Sequence, residues 1–136
     1  MDRSMQHGEM SVGVGMLDRD HREMSEALQE LHEAATTGRK RSRTGSLLRR
    51  LAHFTLTHFA LEESMMGATR YPEMNLHRLK HQWLMQQMEN LIARSNLGNF
   101  ILDDRSLSPI AESHLDHVQK DDLHYGLWLN GTGKNC

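Results

Sequence analysis

The amino-acid sequence is 136 residues long, which fits one domain with one ordinary hydrophobic core. Its 16 Lys and Arg against 18 Asp and Glu give a formal net charge of -2, so charge predicts neither a nucleic acid nor an anionic membrane as a partner. The only cysteine is the last residue, Cys136, which excludes an internal disulfide and a thiolate metal cluster. No apolar run approaches the roughly 20 residues of a membrane helix, and the polar start lacks the apolar stretch of a signal peptide. We expect a single domain over residues 1–136, located in the cytoplasm and not associated with a membrane.

Residue usage favours an all-α fold. The chain contains 10 His and 10 Met but only 2 Pro, and a low proline content suits helices. Aromatic residues make up 5% of the chain and valine is scarce, whereas strands draw on β-branched and aromatic side chains.

Two helices are predicted in the first half of the chain. Asp18 can cap a helix over about residues 18–37, in which apolar residues recur at three- and four-residue spacing until Gly38. A second apolar stripe predicts a helix over about residues 43–66, ending near Gly67. Basic residues cluster between positions 39 and 50, which we interpret as a solvated inter-helix loop because no aromatic residues are interleaved for base stacking.

Two more helices are predicted in the second half. Pro72 and Glu73 are typical of a first helical turn, and the periodic pattern that follows predicts a helix over about residues 73–94. Ser108 and Pro109 resemble a cap and a first helical residue, which predicts a fourth helix over about residues 109–129 and a flexible tail over 130–136. Four helices joined by short or moderate loops favour an up-down-up-down antiparallel four-helix bundle.

Histidines occupy positions on the predicted core stripes. His58 and Glu62 are four residues apart, as are His77 and His81, so each pair lies on one helical face. His21 takes a core position on the first helix. One alternative is that these histidines hydrogen-bond to one another or to Glu62, but several imidazoles with one carboxylate do not easily satisfy each other in a core without a cation. The pattern therefore predicts a metal site, and donors without thiolate fit iron, zinc, manganese or copper, with more ligands than the four usual for zinc.

The last helix adds further candidate ligands. Regular helix geometry places His114, His117 and Asp121 on one face, because Asp122 is five residues beyond His117 and turned away from it by about 140°. Periodicity alone therefore selects Asp121.

These motifs together resemble the hemerythrin family, in particular its single-domain bacterial members. The resemblance covers about residues 12–126 and rests on the segments Val12-Gly13, Leu17-Asp18-Arg19-Asp20-His21, His58-Phe59-Ala60-Leu61-Glu62-Glu63, Tyr71-Pro72, His77-x-x-x-His81, and His117-Val118 followed by Asp122 and Tyr125. It implies two non-haem iron ions bridged by an oxo or hydroxo group. One iron would be bound by His77, His81 and His117, and the other by His21 and His58. The bridging carboxylates would be Glu62 and Asp122, so the resemblance selects Asp122 over Asp121.

The sequence departs from the family pattern before the fifth histidine. Family members commonly have Trp-Leu there, lining the ligand pocket, whereas this chain has Ser113 and His114. One interpretation is a partly wet helix end. The other is that His114 approaches the open iron or its ligand as a proton donor.

The resemblance implies a protein that binds dioxygen reversibly at the open iron, for carriage, storage or sensing. The alternative is a di-iron enzyme that reduces peroxide or nitric oxide at the same position, which we rank below a binding protein. Ferritin-like oxidases use two Glu-x-x-His motifs, and this chain has none. A regulatory module ranks lowest, because the sequence shows no output domain. The oligomeric state is not specified by the sequence.

Overall fold

The computed structural model describes residues 13–36, 41–97 and 103–132, and the described residues are helical almost throughout. The elements are α1 (Gly15–Thr36), α2 (Arg41–Thr69), α3 (Met74–Ser95), α4 (Asp104–His117), a π-helical segment (Val118–Asp122) and α5 (Leu123–Gly131). The last three run on without a break and form the fourth helix of the bundle. The predicted all-α four-helix bundle is confirmed.

Each helix buries one apolar stripe, as the 3.6-residue period requires. On α3 the buried positions are His77, His81, Leu84, Met88 and Leu91. The stripes form two apolar cores, one at each end of the bundle. The core near the C-terminal end of α1 and the N-terminal end of α2 includes Leu28, Leu48, Met88 and Leu107. The opposite core includes Leu17, Met66, Tyr71 and Tyr125.

The order of these core residues along the chain gives the topology. Helix α1 runs from the Leu17 core to the Leu28 core, α2 returns from Leu48 to Met66, and the next two helices repeat the alternation. Neighbouring helices are therefore antiparallel, up-down-up-down. The buried histidines lie between the two cores together with Glu62 and Asp122, and they form one polar layer across the middle of the bundle.

The helix ends explain where the structure differs from the predicted boundaries. Helix α2 runs past Gly67 to Thr69 and ends where Arg70 adopts φ 59°, with Tyr71 N donating to Met66 O at 3.0 Å and Arg70 N to Gly67 O at 3.3 Å. This pair of bonds is a Schellman motif, which satisfies the last carbonyls of the helix. Arginine here occupies a conformation usually taken by glycine.

The predicted start of the fourth helix at Ser108 and Pro109 is wrong. Asp103 caps α4 by accepting a hydrogen bond from Ser106 N at 3.1 Å, and the Ser106 hydroxyl accepts one from Asp103 N at 3.1 Å. This capping box starts the helix earlier than the Ser-Pro pair suggested. Pro109 lies inside α4, where its missing N–H removes one hydrogen bond.

The beginning of the predicted tail is tied to the fold. Helix α5 continues to Gly131, and Asn130 donates from Nδ2 to the carbonyl of Gly13 at 3.2 Å. Gly13 has φ +77°, and a Cβ there would lie 2.9 Å from Asn130 Nδ2, so only glycine fits without strain. Residues 133–136 of the predicted tail lie outside the described residues. Among the helices that are described, none is long and apolar enough to cross a membrane.

Candidate metal centre

The polar layer of the bundle is built by one or two side chains from every helix. The seven residues predicted as ligands are all buried, with exposed fractions of 0–3%: His21, His58, Glu62, His77, His81, His117 and Asp122. Their donor atoms fall into two groups, and within each group the atoms lie within 4.8 Å of one another. One group contains Glu62, His77, His81, His117 and Asp122, and the other contains His21, His58, Glu62 and Asp122.

The two carboxylates belong to both groups, and each directs a different oxygen to each group. Glu62 Oε1 lies 2.5 Å from His77 Nε2 and 3.0 Å from His81 Nε2, while its Oε2 lies 3.5 Å from His58 Nε2. Asp122 Oδ1 lies 2.8 Å from His77 Nε2 and 3.1 Å from His117 Nε2, while its Oδ2 lies 3.0 Å from His21 Nε2. Both carboxylates therefore span the two groups.

The donor atoms face one another in a way that favours cations between them. His81 Nε2 and His117 Nε2 are 3.0 Å apart, close to the spacing of two ligands at right angles on an ion with bonds of about 2.1 Å. Three buried atoms that face the centre, His58 Nε2, Glu62 Oε2 and Asp122 Oδ1, make these ion-pair contacts but no well-formed hydrogen bond among the described residues. Buried polar atoms without a well-formed hydrogen bond are costly and call for a further partner. The donor set fits metal ions.

The carboxylates of the centre are ionised. Burial and the charge of Asp122 oppose ionisation of Glu62, but contacts with His58, His77 and His81 hold its pKa at about 2. Burial likewise opposes ionisation of Asp122, and His117, His21 and His77 nevertheless keep its pKa well below the usual range. Two buried negative charges thus face the imidazoles.

When no metal is present, these carboxylate charges raise the pKa values of neighbouring imidazoles. Burial disfavours the charged form of His77, yet Asp122 and Glu62 raise its pKa to about 9. Burial also disfavours charged His117, but Asp122 and Asp121 raise its pKa to about 10. The pKa of His58 is raised as well, against the effect of burial, by Glu62. The two buried carboxylates therefore stabilise positive charge in the centre. A divalent metal ion carries more positive charge than a proton.

Three of the histidines have a second carboxylate on the far side of the ring. His58 Nδ1 lies 3.0 Å from Asp20 Oδ2, His81 Nδ1 lies 2.8 Å from Glu63 Oε2, and His117 Nδ1 lies 2.9 Å from Asp121 Oδ2. A carboxylate accepts a hydrogen bond, so Nδ1 carries the hydrogen and the Nε2 lone pair points into the centre. We call Asp20, Glu63 and Asp121 the outer carboxylates.

The π-helical segment decides between the two adjacent aspartates. Regular helix geometry places Asp121 on the inner face with His117, whereas in the structure Asp122 is fully buried in the centre and Asp121 is half-buried outside it. The i→i+5 bonding of the π segment widens the turn after His117 and brings the residue five positions later to the inner face. The expectation from periodicity assumed an unbroken α-helix, which is why it selected Asp121.

The two residues that depart from the family pattern have different environments. Ser113 is half-buried and lines a surface groove of about 290 Å³ with Trp83 and Lys80. His114 is 1% exposed, and neither ring nitrogen has a hydrogen-bond partner among the described residues. Its ring is stacked with Phe59 at 5.6 Å between centroids. The partly wet helix end expected here is therefore wrong for His114.

The charge state of His114 follows from the same environment. Burial and the neighbouring charges of His117 and His58 lower its pKa to about 3. At neutral pH the ring is uncharged, so it offers one N–H and one lone pair, and not a transferable imidazolium proton.

Sequence reasoning assigned no role to Asp20, Glu63 or Phe59. Phe59 stacks on His81 with centroids 3.8 Å apart and planes at 5°, so the phenyl ring packs against one face of that imidazole. All three residues lie inside the segments that carried the family resemblance, directly beside His21, Glu62 and His58. Adjacency to a predicted ligand was the available signal, but it does not show which neighbouring helix the side chain meets.

Comparison with known proteins agrees with this centre. A family model for the hemerythrin HHE cation binding domain matches residues 12–129. A bacteriohemerythrin of Stenotrophomonas maltophilia is 26% identical over 117 residues, covering 86% of this chain and 75% of the relative. One from Methylococcus capsulatus is 26% identical over 122 residues, covering 90% of this chain and 92% of the relative.

Solved structures give the same result. The crystal structure of a wild-type hemerythrin superposes with a TM-score of 0.83 at 26% identity, covering 89% of this chain and 92% of that one. The resemblance inferred from the sequence motifs is confirmed, and the chain belongs to the hemerythrin family of cation-binding domains.

Proposed function

We propose that the centre holds two iron ions as a non-haem di-iron site. The observation that carries the proposal is the geometry of Glu62 and Asp122, each of which directs one oxygen to one group of histidines and the second oxygen to the other. A carboxylate placed in this way is suited to bridge two ions. Imidazole and carboxylate donors without thiolate suit iron, which is also typical of the family.

The histidines divide unequally between the two ions. His77, His81 and His117 would hold one, and His21 and His58 the other, with both carboxylates shared. An ion on the two-histidine side would have one protein ligand fewer, which would leave a position for a small molecule. We refer to these as the three-histidine side and the two-histidine side.

We propose that the open position binds dioxygen reversibly. Two ferrous ions held by these residues would supply the two electrons that reversible binding of dioxygen requires. The chain contributes a closed environment, since the seven predicted ligands and His114 are at most 3% exposed. Exclusion of water protects a reactive bound species from side reactions.

The alternative is an enzyme that reduces peroxide or nitric oxide at the same position. His114 favours a polar ligand, because both of its ring nitrogens are buried and have no hydrogen-bond partner among the described residues. Reduction, however, consumes protons, and a His114 with a pKa of about 3 does not deliver one at neutral pH. This supports a hydrogen bond from His114 to the bound molecule and ranks reversible binding above reduction.

Metal analysis combined with a dioxygen titration of the anaerobically reduced protein tests both possibilities. We expect two irons per chain and a charge-transfer absorption band that appears with dioxygen and disappears when it is removed. Glu62→Gln should lose the band and metal, whereas Glu89→Gln, the same change on the exposed face of α3, should keep both. Rapid irreversible oxidation would favour the enzyme, and one zinc per chain would contradict both functions.

A further inference from the structure

The outer carboxylates differ in what they contact on their other side. Glu63 uses Oε2 for His81, and its Oε1 accepts a hydrogen bond from Arg78 Nε at 3.1 Å. Asp121 uses Oδ2 for His117, and its Oδ1 lies 2.5 Å from Lys80 Nζ. Both cations are on α3, two residues apart. Each carboxylate on the three-histidine side is therefore partly neutralised by a cation.

Asp20 has a different environment on the two-histidine side. It projects from α1 to His58 Nδ1 on α2, with its side chain 16% exposed and the imidazole 1% exposed. Within the described ranges, no Lys or Arg lies within ion-pair distance of it. Its charge acts on His58 without a compensating partner.

This difference has a chemical consequence for a metal bound to the imidazoles. A carboxylate that accepts the Nδ1 hydrogen makes the imidazole a stronger electron donor through Nε2 and fixes the ring orientation. Stronger donation favours the higher oxidation state of the metal. A cation on the carboxylate draws the charge away and weakens the effect.

We propose that Asp20 is a positioning residue that, through His58, favours the oxidised state of the metal on the two-histidine side, while Arg78 and Lys80 offset the same effect of Glu63 and Asp121 on the three-histidine side. The inference rests on the proposed di-iron function. It would make the two metals unequal electron donors in addition to any difference that comes from three against two histidine ligands. The metal that contacts the bound molecule is then the one whose oxidation the protein assists most.

Potentials of matched charge variants test the proposal. Asp20→Asn keeps a hydrogen-bond acceptor but removes the charge, so the loaded protein should keep two irons while its midpoint potential moves to a more positive value. Lys80→Met should move the potential in the opposite direction, because Asp121 then acts on His117 without a partner. The matched controls are Asp116→Asn and Arg43→Met, which change exposed surface ion pairs. Spectroelectrochemical titration measures all four against the parent chain.

Measurements of metal affinity separate the effect of Asp20 on the orientation of the His58 ring from the effect of its charge. Asp20→Ala removes both the acceptor and the charge and should weaken metal binding by about 10- to 100-fold, measured by competition with a chromophoric chelator. Asp116→Ala should have no such effect.

The outcomes distinguish this inference from the function on which it rests. A parent chain that fails to bind two metals contradicts the proposed function. A parent chain that binds two metals, with an Asp20→Asn potential no more positive than that of Asp116→Asn, contradicts the role of Asp20 alone. A lower unfolding temperature of the metal-free variant with an unchanged potential would show a merely structural role and would also overturn the proposal.

Discussion

His114 is an imidazole in a place that suits an apolar side chain. Both of its nitrogens are buried without a hydrogen-bond partner among the described residues, and its ring stacks with Phe59. A buried polar group left unsatisfied costs about 1–3 kcal/mol. Proteins commonly keep a destabilising residue of this kind where its side chain contacts a ligand.

Replacement of His114 by leucine tests this cost. The variant removes the unpaired nitrogens at similar volume, so the free energy of unfolding of the metal-free protein should rise by about 1–3 kcal/mol. Urea denaturation followed by circular dichroism measures it. His53→Leu, on the exposed face of α2, is the control and should change little. A stability equal to or below that of the parent chain would mean that a buried water already satisfies His114.

Ligand types were predictable at the scale of single residues, but their supporting contacts were not. Histidine and glutamate on a core stripe are unusual enough to indicate a metal site from sequence. Asp20 and Glu63 carry no such signal, because a residue next to a ligand points about 100° away from it on a helix. Whether it meets a histidine of the next helix depends on packing, as Asp20 meets His58 across α1 and α2.

The π-helical segment shows the limit of periodicity at the scale of an element. The choice between Asp121 and Asp122 depends on one turn of π-helix, and no residue in Val118–Asp122 predicts that turn from sequence. The family motif selected Asp122 because its spacing of five residues after His117 already matches the irregular turn. The structure places Asp122 in the centre. The same turn leaves Asp121 next to His117 Nδ1, so both aspartates contact one histidine from different sides.

The start of α4 offers a test of local helix signals. Asp103 is exposed and accepts a hydrogen bond from Ser106 N, so Asp103→Ala should lower the free energy of unfolding by removing the helix cap. Chemical denaturation of the metal-free protein measures the change. Glu112→Ala, an exposed site in the same helix, should have a smaller effect, and metal content should be normal in both variants. Equal effects would contradict the capping role.

The whole molecule places a charged layer between two apolar cores. The bundle itself was predictable, because apolar stripes at helical spacing are local patterns and short connections make neighbours antiparallel. The cores at the two ends stabilise the fold through hydrophobic burial. The charged layer between them destabilises it when no cation is present. Stability of the whole bundle should therefore depend on what neutralises the centre.

This dependence predicts opposite pH responses for the metal-free and metal-loaded proteins. In the metal-free protein the pKa of His77 is raised to about 9 and that of His117 to about 10, so their stabilising contribution is complete below their unfolded pKa of 6.5 and is lost as pH rises through those values. Glu62 has a pKa lowered to about 2, so its contribution is present above its usual value of 4.5 and is lost as pH falls towards 2. The pKa of His114 is lowered to about 3, so its buried neutral ring disfavours the folded state below its unfolded pKa of 6.5. Maximum stability of the metal-free protein should therefore lie near pH 6.5.

With metal bound, the same imidazoles are unprotonated ligands, and protons compete with the metal. Between pH 6.5 and 9 the unfolding temperature of the metal-free protein should therefore fall, while that of the loaded protein should hold or rise. Differential scanning calorimetry of chelator-treated and loaded samples measures both slopes. The variant Tyr125→Phe, which removes a hydroxyl bonded to Thr69 in the neighbouring apolar core, leaves both histidines in place and should preserve the two opposite slopes. Parallel slopes in the two forms of the parent chain would show that His77 and His117 do not exchange protons for metal and would contradict their assignment as ligands.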